Sequence, residues 1–377
     1  MACTNPAGAP RDASADASDP VDAAADAASD AGIDAATPPL WRWTAETVDG
    51  AGRADPSIAV GPDGVVQVAY YAFPSDLRWA TNAGGAFAPE IVDDFPDTGG
   101  WSSVAIVGTE SRIAYHDYDA GRLVLARGSA GDWTTETLDT GPRGNGRYTA
   151  LAIDAKGAMH VGFARGDLAG SDLAYATDES GAWTVETVDA DGRNGEGASI
   201  TIDDAGTVHL AYIRRDVDGG QVRHASRTGG AWTVETIPLP DGARDVALAS
   251  ATGGGLHLVW SGVDDGALHH ATDGDGWTDE AVDDSGIVRG VALAIGEGTA
   301  CHVAYHRAPR CPDGEPCDRG DLVHATDASG AWQTEIADAE GATGFTPAIA
   351  IAPDGALHVA YVEMDGPSVK HARGTGF

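Results

Sequence analysis

Short segments in which apolar and polar positions alternate recur along the whole chain and are separated by tight turns. One unit contains four of them, exemplified by residues 199–202 (SITI), 357–361 (LHVAY), 322–326 (LVHAT) and 183–187 (WTVET). Alternation over four to eight residues is typical of half-buried strands, and Asp-Gly turns such as 353–355 join them. The pattern predicts an all-β fold of repeated four-stranded sheets.

An aromatic residue opens the fourth strand of each unit. The series runs Trp43, Phe87, Trp133, Trp183, Trp232, Trp277, Trp332 and Phe377, with spacings of 44, 46, 50, 49, 45, 55 and 45 residues. Such a period, with four strands in each unit, is typical of β-propeller blades. Seven intervals predict seven blades.

The two ends of the chain predict how the ring closes. The last unit stops at Phe377, before its fourth strand, whereas residues 43–48 (WTAETV) form a fourth strand with no blade before it. We expect this N-terminal strand to lie beside His371 and complete the last blade, since closure removes open sheet edges. The predicted fold is a seven-bladed β-propeller of four-stranded blades over residues 41–377.

The first 40 residues differ in composition from the rest. Residues 12–37 are almost wholly Ala, Asp and Ser, which bury too little apolar surface to offset the entropy of ordering. We expect residues 1–40 to form a disordered tether. Cys3 follows a small residue and precedes this linker, as in a mature bacterial lipoprotein, so we expect it to carry lipid; the alternative is that Cys3 has no role.

Charge narrows the possible partners. The net charge is −35, and residues 41–377 carry −29 of it. A surface this acidic repels phosphate backbones and anionic lipid, so we expect no nucleic-acid partner. No apolar run is long enough to span a bilayer. We expect a monomeric, secreted or cell-envelope protein of a bacterium.

The turn between the third and fourth strands carries a family resemblance. Residues 326–332 (TDASGAW) resemble an Asp-box, although the glycine position differs, and residues 177–183 differ in the same way. The propeller body therefore resembles the sialidase-type (BNR/Asp-box) superfamily, in which the box is a folding element. Sialidases carry an Arg-Ile-Pro motif and six blades, whereas this chain has residues 53–56 (RADP) and seven units. The resemblance implies a non-sialidase member.

Most of the histidines follow the repeat. Five share one position in the second strand, and four share a third-strand position that also accepts Trp, Leu and Tyr. Such a position packs between blades, so we predict no metal site and no cofactor. His116 and His306 depart from the repeat and are expected in loops on one face, either as polar loop residues or as groups that contact a ligand.

A second group of residues lies where each first strand begins. We expect the following side chains to surround the mouth of the central channel: Arg53, Trp101, Arg147, Tyr148, Arg193, Arg244 and Arg289. Guanidinium groups favour carboxylated or sulfated sugars and aromatic rings stack on sugars, so these residues and His306 are the candidate ligand-binding set. Alternatively, the arginines pair with Asp55, Asp97 and Asp245 and tie the blades together.

Two functions follow from this face. The first is a non-enzymatic module that binds a carbohydrate or an extracellular protein. The alternative is a polysaccharide lyase or other glycan-active enzyme, with His116, Tyr148 and Arg147 as base, acid and charge neutraliser; seven-bladed lyases resemble the chain in blade number.

The cysteines and one acidic loop complete the candidate chemistry. Cys311 and Cys317 bracket a short turn and can form a disulfide, which fits an oxidising compartment. Cys301 replaces a strand leucine and is expected to be a buried thiol. Residues 189–196 (DADGRNGE) resemble a calcium loop without its ligand spacing, so a solvated turn is expected.

Overall fold

The computed structural model describes residues 41–72, 75–139, 141, 144–167, 170–240, 242–274, 276–310 and 319–376. The side chain of Arg53 is also outside the description. The predicted tether, Cys3 and the predicted Cys311–Cys317 disulfide lie outside the described residues.

The strands are as follows, blade by blade. Blade 1 comprises β2 (Gly52–Val60), β3 (Val66–Ala72), β4 (Asp76–Thr81) and β5 (Ala88–Asp93). Blade 2 comprises β6 (Thr98–Val107), β7 (Glu110–Asp117), β8 (Arg122–Ser129) and β9 (Asp132–Asp139). Blade 3 comprises β10 (Arg147–Ile153), β11 (Met159–Asp167), β12 (Gly170–Thr177) and β13 (Thr184–Asp189). Blade 4 comprises β14 (Glu196–Ile202), β15 (Val208–Arg214), β16 (Gln221–Thr228) and β17 (Ala231–Thr236).

The remaining blades continue the same pattern. Blade 5 comprises β18 (Ala243–Ser250), β19 (Leu256–Gly262), β20 (Leu268–Thr272) and β21 (Thr278–Asp283). Blade 6 comprises β22 (Ile287–Ile295), β23 (Cys301–Ala308), β24 (Asp321–Thr326) and β25 (Gln333–Asp338), with a short 3₁₀ helix at Glu297–Thr299. Blade 7 comprises β26 (Phe345–Ile351), β27 (Leu357–Glu363), β28 (Ser368–Gly376) and β1 (Trp41–Asp49).

Each blade is a four-stranded antiparallel sheet, and the seven sheets form a ring. The first strand of each blade lies beside the first strands of the two neighbouring blades, so these seven inner strands surround the axis. In the described part of the chain, no helix has both the length and the apolar character to span a bilayer.

The N-terminal strand closes the ring as predicted. β1 pairs antiparallel with β28, and Glu46 lies opposite His371. The indole nitrogen of Trp43 also donates a 2.9 Å hydrogen bond to Glu335 in blade 6. The two ends of the propeller are therefore held in one sheet.

Tyrosine–aspartate pairs join adjacent blades. The tyrosine of a second strand donates to an aspartate that ends the preceding blade: Tyr70 to Asp49, Tyr115 to Asp93, Tyr212 to Asp189, Tyr305 to Asp283 and Tyr361 to Asp338, at 2.5 to 2.8 Å. In four of these pairs Arg or Lys also contacts the aspartate, as Lys370 does with Asp338 at 2.6 Å. Buried charge-assisted bonds of this kind fix the spacing between blades.

Tryptophan–glutamate bonds join the blades further out. An indole nitrogen donates to a glutamate of the preceding blade at six junctions: Trp43 to Glu335, Trp133 to Glu90, Trp183 to Glu136, Trp232 to Glu186, Trp277 to Glu235 and Trp332 to Glu280. The repeated W-x-x-E sequence therefore supplies the donor for one junction and the acceptor for the next.

Candidate functional site

The inner strands share a backbone irregularity near their N-terminal ends. In all seven, the pairing with the second strand shifts close to the start of the strand. Such bulges turn side chains toward a new direction and are common beside functional sites. Here they lie at one level around the axis, at the mouth of the central channel.

Several residues at these bulges adopt a left-handed conformation. Four of them are not glycine: Asp55, Trp101, Tyr148 and Thr346, with φ values of 50°, 47°, 53° and 44°. Gly197 and Gly290 take up similar values, 62° and 57°. A non-glycine residue in this region costs of order 1–3 kcal/mol, and such strain is concentrated at binding and active sites. The strain therefore marks the channel mouth as the candidate site.

A cavity of about 230 Å³ occupies this mouth. All seven blades contribute to its lining, including Asp55, Trp101, Tyr148, Asp245 and Thr346. A second depression of about 390 Å³ shares Asp245 and Thr346 with it. The two depressions adjoin each other, and together they are called the mouth.

Aromatic rings cover the mouth on the side of blades 1 to 3. The ring centroid of Trp101 lies 5.0 Å from that of Tyr148 and 5.3 Å from that of Tyr118. Tyr71 packs edge-on against Tyr118 at 5.9 Å. Gly100 permits this arrangement, since a Cβ there would lie 2.3 Å from the Tyr118 ring. Trp101, Tyr148 and Tyr71 are half-buried and Tyr118 is exposed, so this aromatic cluster is partly open to solvent.

Arginines line the opposite side, in blades 4 to 6. Arg215, Arg244 and Arg289 border the second depression. Arg215 is occupied, since it bonds Glu196 at 2.8 Å and the carbonyl oxygens of Ala243 and Arg244. Arg244 donates one bond, to the carbonyl of Val263. Arg289 is exposed and has no hydrogen bond or ion pair among the residues described, so its guanidinium can meet a ligand.

Two aspartates also line the cavity, Asp55 in blade 1 and Asp245 in blade 5. Asp55 accepts the backbone N–H of Trp101 at 3.2 Å, and Asp245 accepts that of Gly290 at 2.9 Å. Burial raises the pKa of the Asp55 carboxyl above its ordinary value, and the bond from Trp101 acts in the opposite direction. Both carboxylates can also accept hydroxyl groups of a ligand.

The structure brings only part of the predicted arginine set to the mouth. Arg147 is buried and donates to the carbonyl oxygens of Gly144 and Gly166, at 3.2 and 2.6 Å, which joins two turns. Burial lowers the pKa of Arg147. Arg193 pairs with Glu196 at 3.0 Å.

Among the arginine side chains that the structure describes, none is paired with Asp55, Asp97 or Asp245; the side chain of Arg53 lies outside the description. The described hydrogen-bond donors to these aspartates are the backbone N–H of Trp101, the Tyr71 hydroxyl, the Ser261 hydroxyl and the backbone N–H of Gly290. Arg147, Arg215 and Arg244 bond carbonyl oxygens, and Arg193 and Arg215 bond Glu196.

His116 and His306 do not lie in loops, contrary to the sequence prediction. They lie within strands β7 and β23, near the C-terminal ends, and both are buried. Each uses Nδ1 to bond a carbonyl oxygen of the next blade, Asn145 at 2.6 Å and Thr343 at 2.7 Å. Burial lowers the pKa of both imidazoles. The His116 ring also packs against Trp101 and Tyr118, and the His306 ring stacks on Phe345, so both histidines support the residues around them from below the surface.

The trio considered for a lyase is therefore poorly placed for catalysis. The His116 ring is 3% exposed, and the Arg147 guanidinium is bonded to backbone oxygens. Of the three residues, only Tyr148 lines the cavity. Burial raises the pKa of the Tyr148 hydroxyl, with Glu196 adding to the effect.

The acidic turn at residues 189–196 is held by ion pairs. Arg214 contacts Asp191 at 2.9 Å, and Arg223 contacts Asp189 at 2.6 Å. Glu196 meets both Arg193 and Arg215. These cations neutralise the carboxylates that a calcium ion would need.

Sequence reasoning missed several residues of the mouth. Tyr71 lies near the end of the second strand of blade 1, and Tyr118 directly follows the second strand of blade 2. Tyr118 packs on Trp101, and Tyr71 packs on Tyr118. The side chain of Arg215, in blade 4, is long enough to reach the carbonyl oxygen of Ala243 in blade 5. Two sequence features could have indicated these aromatic residues. They are the pair Tyr70–Tyr71 and the run 116–119 (HDYD), each of which places an aromatic residue at the end of a second strand.

The comparisons with known proteins are structural. No protein-family profile matches the chain. No curated protein sequence matches it either. A variant of the Aleuria aurantia lectin in complex with Fucα1-6GlcNAc is similar, with 14% identity, a TM-score of 0.53, and coverage of 77% of this chain and 96% of the lectin.

Two further structures extend this comparison. AofleA from Arthrobotrys oligospora has 12% identity, a TM-score of 0.52, and coverage of 79% of this chain and 90% of its own. The endosialidase of phage phi92 has 12% identity, a TM-score of 0.53, and coverage of 90% and 69%. At this identity the likeness shows the β-propeller fold alone.

Proposed function

We propose that the protein is a non-enzymatic carbohydrate-binding module whose ligand sits in the mouth. The observation that carries the proposal is the strained bulge at Trp101, which presents its half-buried ring beside Tyr148 in a cavity lined by all seven blades. Aromatic faces in a shallow concavity suit the apolar face of a sugar ring. The Aleuria aurantia lectin of similar fold was solved with a fucosyl disaccharide, which lends support to this class of ligand.

The charges favour a sugar that carries a carboxylate or sulfate. Arg289 has no partner in the described part of the chain, and Arg244 has one. Such a ligand would place its anionic group on these arginines and its ring on Trp101. Asp55 and Asp245 would accept its hydroxyl groups.

A glycan array with the full chain tests this proposal. We expect binding to acidic oligosaccharides, lost on Trp101→Ala and weakened on Arg289→Ala. Arg373→Ala is the matched control, because Arg373 is exposed and pairs with Asp354, a residue of the turn between the first and second strands of blade 7. Binding only to an extracellular protein, or release of unsaturated sugar products, would overturn the proposal.

We also propose kinship with the BNR/Asp-box propellers. Its support is the role of the turn aspartates: Asp178 accepts the N–H of Met159, and Asp327 accepts that of Cys301, each at 2.7 Å. Both bonds tie the turn to the start of the second strand, as expected for a folding element. Sequence profiles built from close homologues of this chain test the kinship.

We propose an extracytoplasmic location, with Cys3 as the lipid anchor. The sequence around Cys3 and the acidic linker that follows support it. Fractionation of the native organism with radiolabelled palmitate tests the anchor; a cytoplasmic, unlabelled protein would contradict it.

A further inference from the structure

Two stacked histidines of blade 5 face a buried thiol of blade 6. Nδ1 of His257 lies 3.0 Å from Nε2 of His270 and 3.2 Å from Sγ of Cys301. The third edge of this triangle, from Nε2 of His270 to Sγ, is 3.8 Å. We propose that these three atoms bind a transition-metal ion of the zinc or copper type. The site is separate from the mouth and independent of the proposed function.

The spacing of the three atoms suits a single ion. Zinc binds imidazole nitrogen at about 2.0–2.1 Å and thiolate sulfur at about 2.3 Å. Tetrahedral or trigonal angles then place the donor atoms roughly 3.3–3.7 Å apart. The observed edges of 3.0, 3.2 and 3.8 Å bracket that range. Small rotations of the side chains would equalise them.

The donor types select the class of metal. A thiolate with two imidazoles favours zinc and copper over calcium or magnesium, which prefer oxygen. Copper takes such a set in a trigonal array, and zinc adds a water molecule as fourth ligand. His257 is half-buried, whereas His270 and Cys301 are buried, so the ion would enter past His257.

A second layer of hydrogen bonds orients the ligands. Nδ1 of His270 donates to Glu280 at 2.8 Å, which leaves the Nε2 lone pair directed at the site. Glu280 is itself held by the indole nitrogen of Trp332 at 2.9 Å. A carboxylate behind a metal-binding histidine is the usual arrangement at zinc centres, and it fixes the ring and its tautomer.

Proton balance follows from the same contacts. Cys301 would bind the ion as a thiolate, so its thiol must lose a proton when the ion binds. On binding, the S–H bond breaks, the proton passes to water and sulfur bonds to the ion. A hydrogen on Nδ1 of His257 moves to Nε2 through solvent. Affinity therefore rises with pH.

Other blades have the same histidine pair without a cysteine facing it, so they separate the contribution of the thiol to metal binding from that of the histidines. The same stacked pair occurs as His209–His224, His302–His324 and His358–His371. The residue corresponding to Cys301 in the next blade is then Leu256, Leu357 or Val66. The sequence analysis predicted no metal site because it treated all these histidines alike. Cys301 lies 31 residues from His270 and 44 residues from His257 in the chain, so the sequence did not reveal that the three meet.

Cobalt(II) and copper(I) titrations of the metal-stripped full chain test the site. We expect one equivalent to bind, with a thiolate-to-cobalt charge-transfer band. Cys301→Leu, which installs the residue of other blades, should abolish the band and lower affinity at least 100-fold. His257→Ala should act likewise, whereas His302→Ala, the matched change in blade 6, should leave binding intact.

Two results would overturn the assignment. One is the absence of stoichiometric binding by either ion in wild-type chain. The other is unchanged binding in Cys301→Leu, which would place the ion on Cys3, Cys311 or Cys317. Thermal unfolding without metal verifies that each variant is folded. Glu280→Gln should weaken binding about 10- to 100-fold if it supports His270.

Discussion

Asp245 accepts a 2.9 Å hydrogen bond from the backbone N–H of Gly290, one blade further round the ring. Asp55 holds Trp101 in the same way at 3.2 Å. In each case a carboxylate at one bulge fixes the left-handed bulge of the next blade. Bonds between blades therefore contribute to the shape of the mouth.

Removal of the Asp55 carboxylate should change both stability and binding. Asp55→Ala leaves the N–H of Trp101 without its acceptor, and we expect a loss of about 1–3 kcal/mol in the free energy of unfolding. Glycan affinity should fall as well, because the Trp101 ring loses its fixed orientation. Urea denaturation and a binding titration measure the two effects. Asp119→Ala, at an exposed position, is the control and should change neither.

The tyrosine–aspartate pairs allow a test in both directions. Tyr361→Phe removes the hydroxyl that Asp338 accepts at 2.5 Å, and should cost about 1–3 kcal/mol of stability. Phe163→Tyr should instead add about 0.5–1.5 kcal/mol, since Phe163 takes the place of these tyrosines in blade 3 and a hydroxyl there would donate to Asp139, whose Oδ2 the Arg165 guanidinium contacts at 2.9 Å. Both are measured by urea denaturation. Equal effects of the two variants would contradict the role of these pairs.

Stability should fall as the pH falls from about 6.5 to about 4. Burial lowers the pKa of His302, His358 and His371 to about 4. Between this value and the ordinary one, the unfolded chain binds protons that the folded chain excludes. Each such histidine contributes up to about 1.4 kcal/mol of loss per pH unit.

Thermal unfolding at several pH values measures this loss. His358→Gln, which installs the residue of blade 1 at this position, should reduce the slope. A melting temperature that does not change over this range would contradict the interpretation that the stacked histidines are uncharged in the folded protein.

Deletion of β1 tests closure of the ring. Without residues 41–49, β28 loses its partner and Glu335 loses the bond from Trp43. We expect a large drop in melting temperature and a tendency to aggregate through the open edge. Deletion of residues 1–40 alone is the control. If the shorter chain melts like the intact one, β1 does not close the ring in solution.

The fold could be predicted from sequence because its signal repeats. The tryptophan series gave the number of blades, and the unpaired strand at Trp43 gave the closure opposite His371. The Trp–Glu bonds were not predicted, because each joins two neighbouring blades whose residues lie 42 to 52 positions apart in the chain or across the ring closure.

The mouth was predicted only in part. Trp101 and Tyr148 were correctly placed beside the axis, whereas Arg147 turned away to carbonyl oxygens. A guanidinium on a long side chain takes the nearest acceptor, which sequence spacing does not specify. The left-handed backbone at Trp101 was equally hidden, since non-glycine residues at positive φ have no sequence signature here.

The most direct test of the proposed binding site is calorimetric titration of an acidic oligosaccharide selected on the array into the wild type and three variants. We predict one site for each chain, no measurable binding by Trp101→Ala, and at least tenfold weaker binding by Arg289→Ala than by Arg373→Ala. Wild-type affinity in the Trp101→Ala variant, with its fold intact, would show that the ligand binds elsewhere and would contradict the assignment of the mouth.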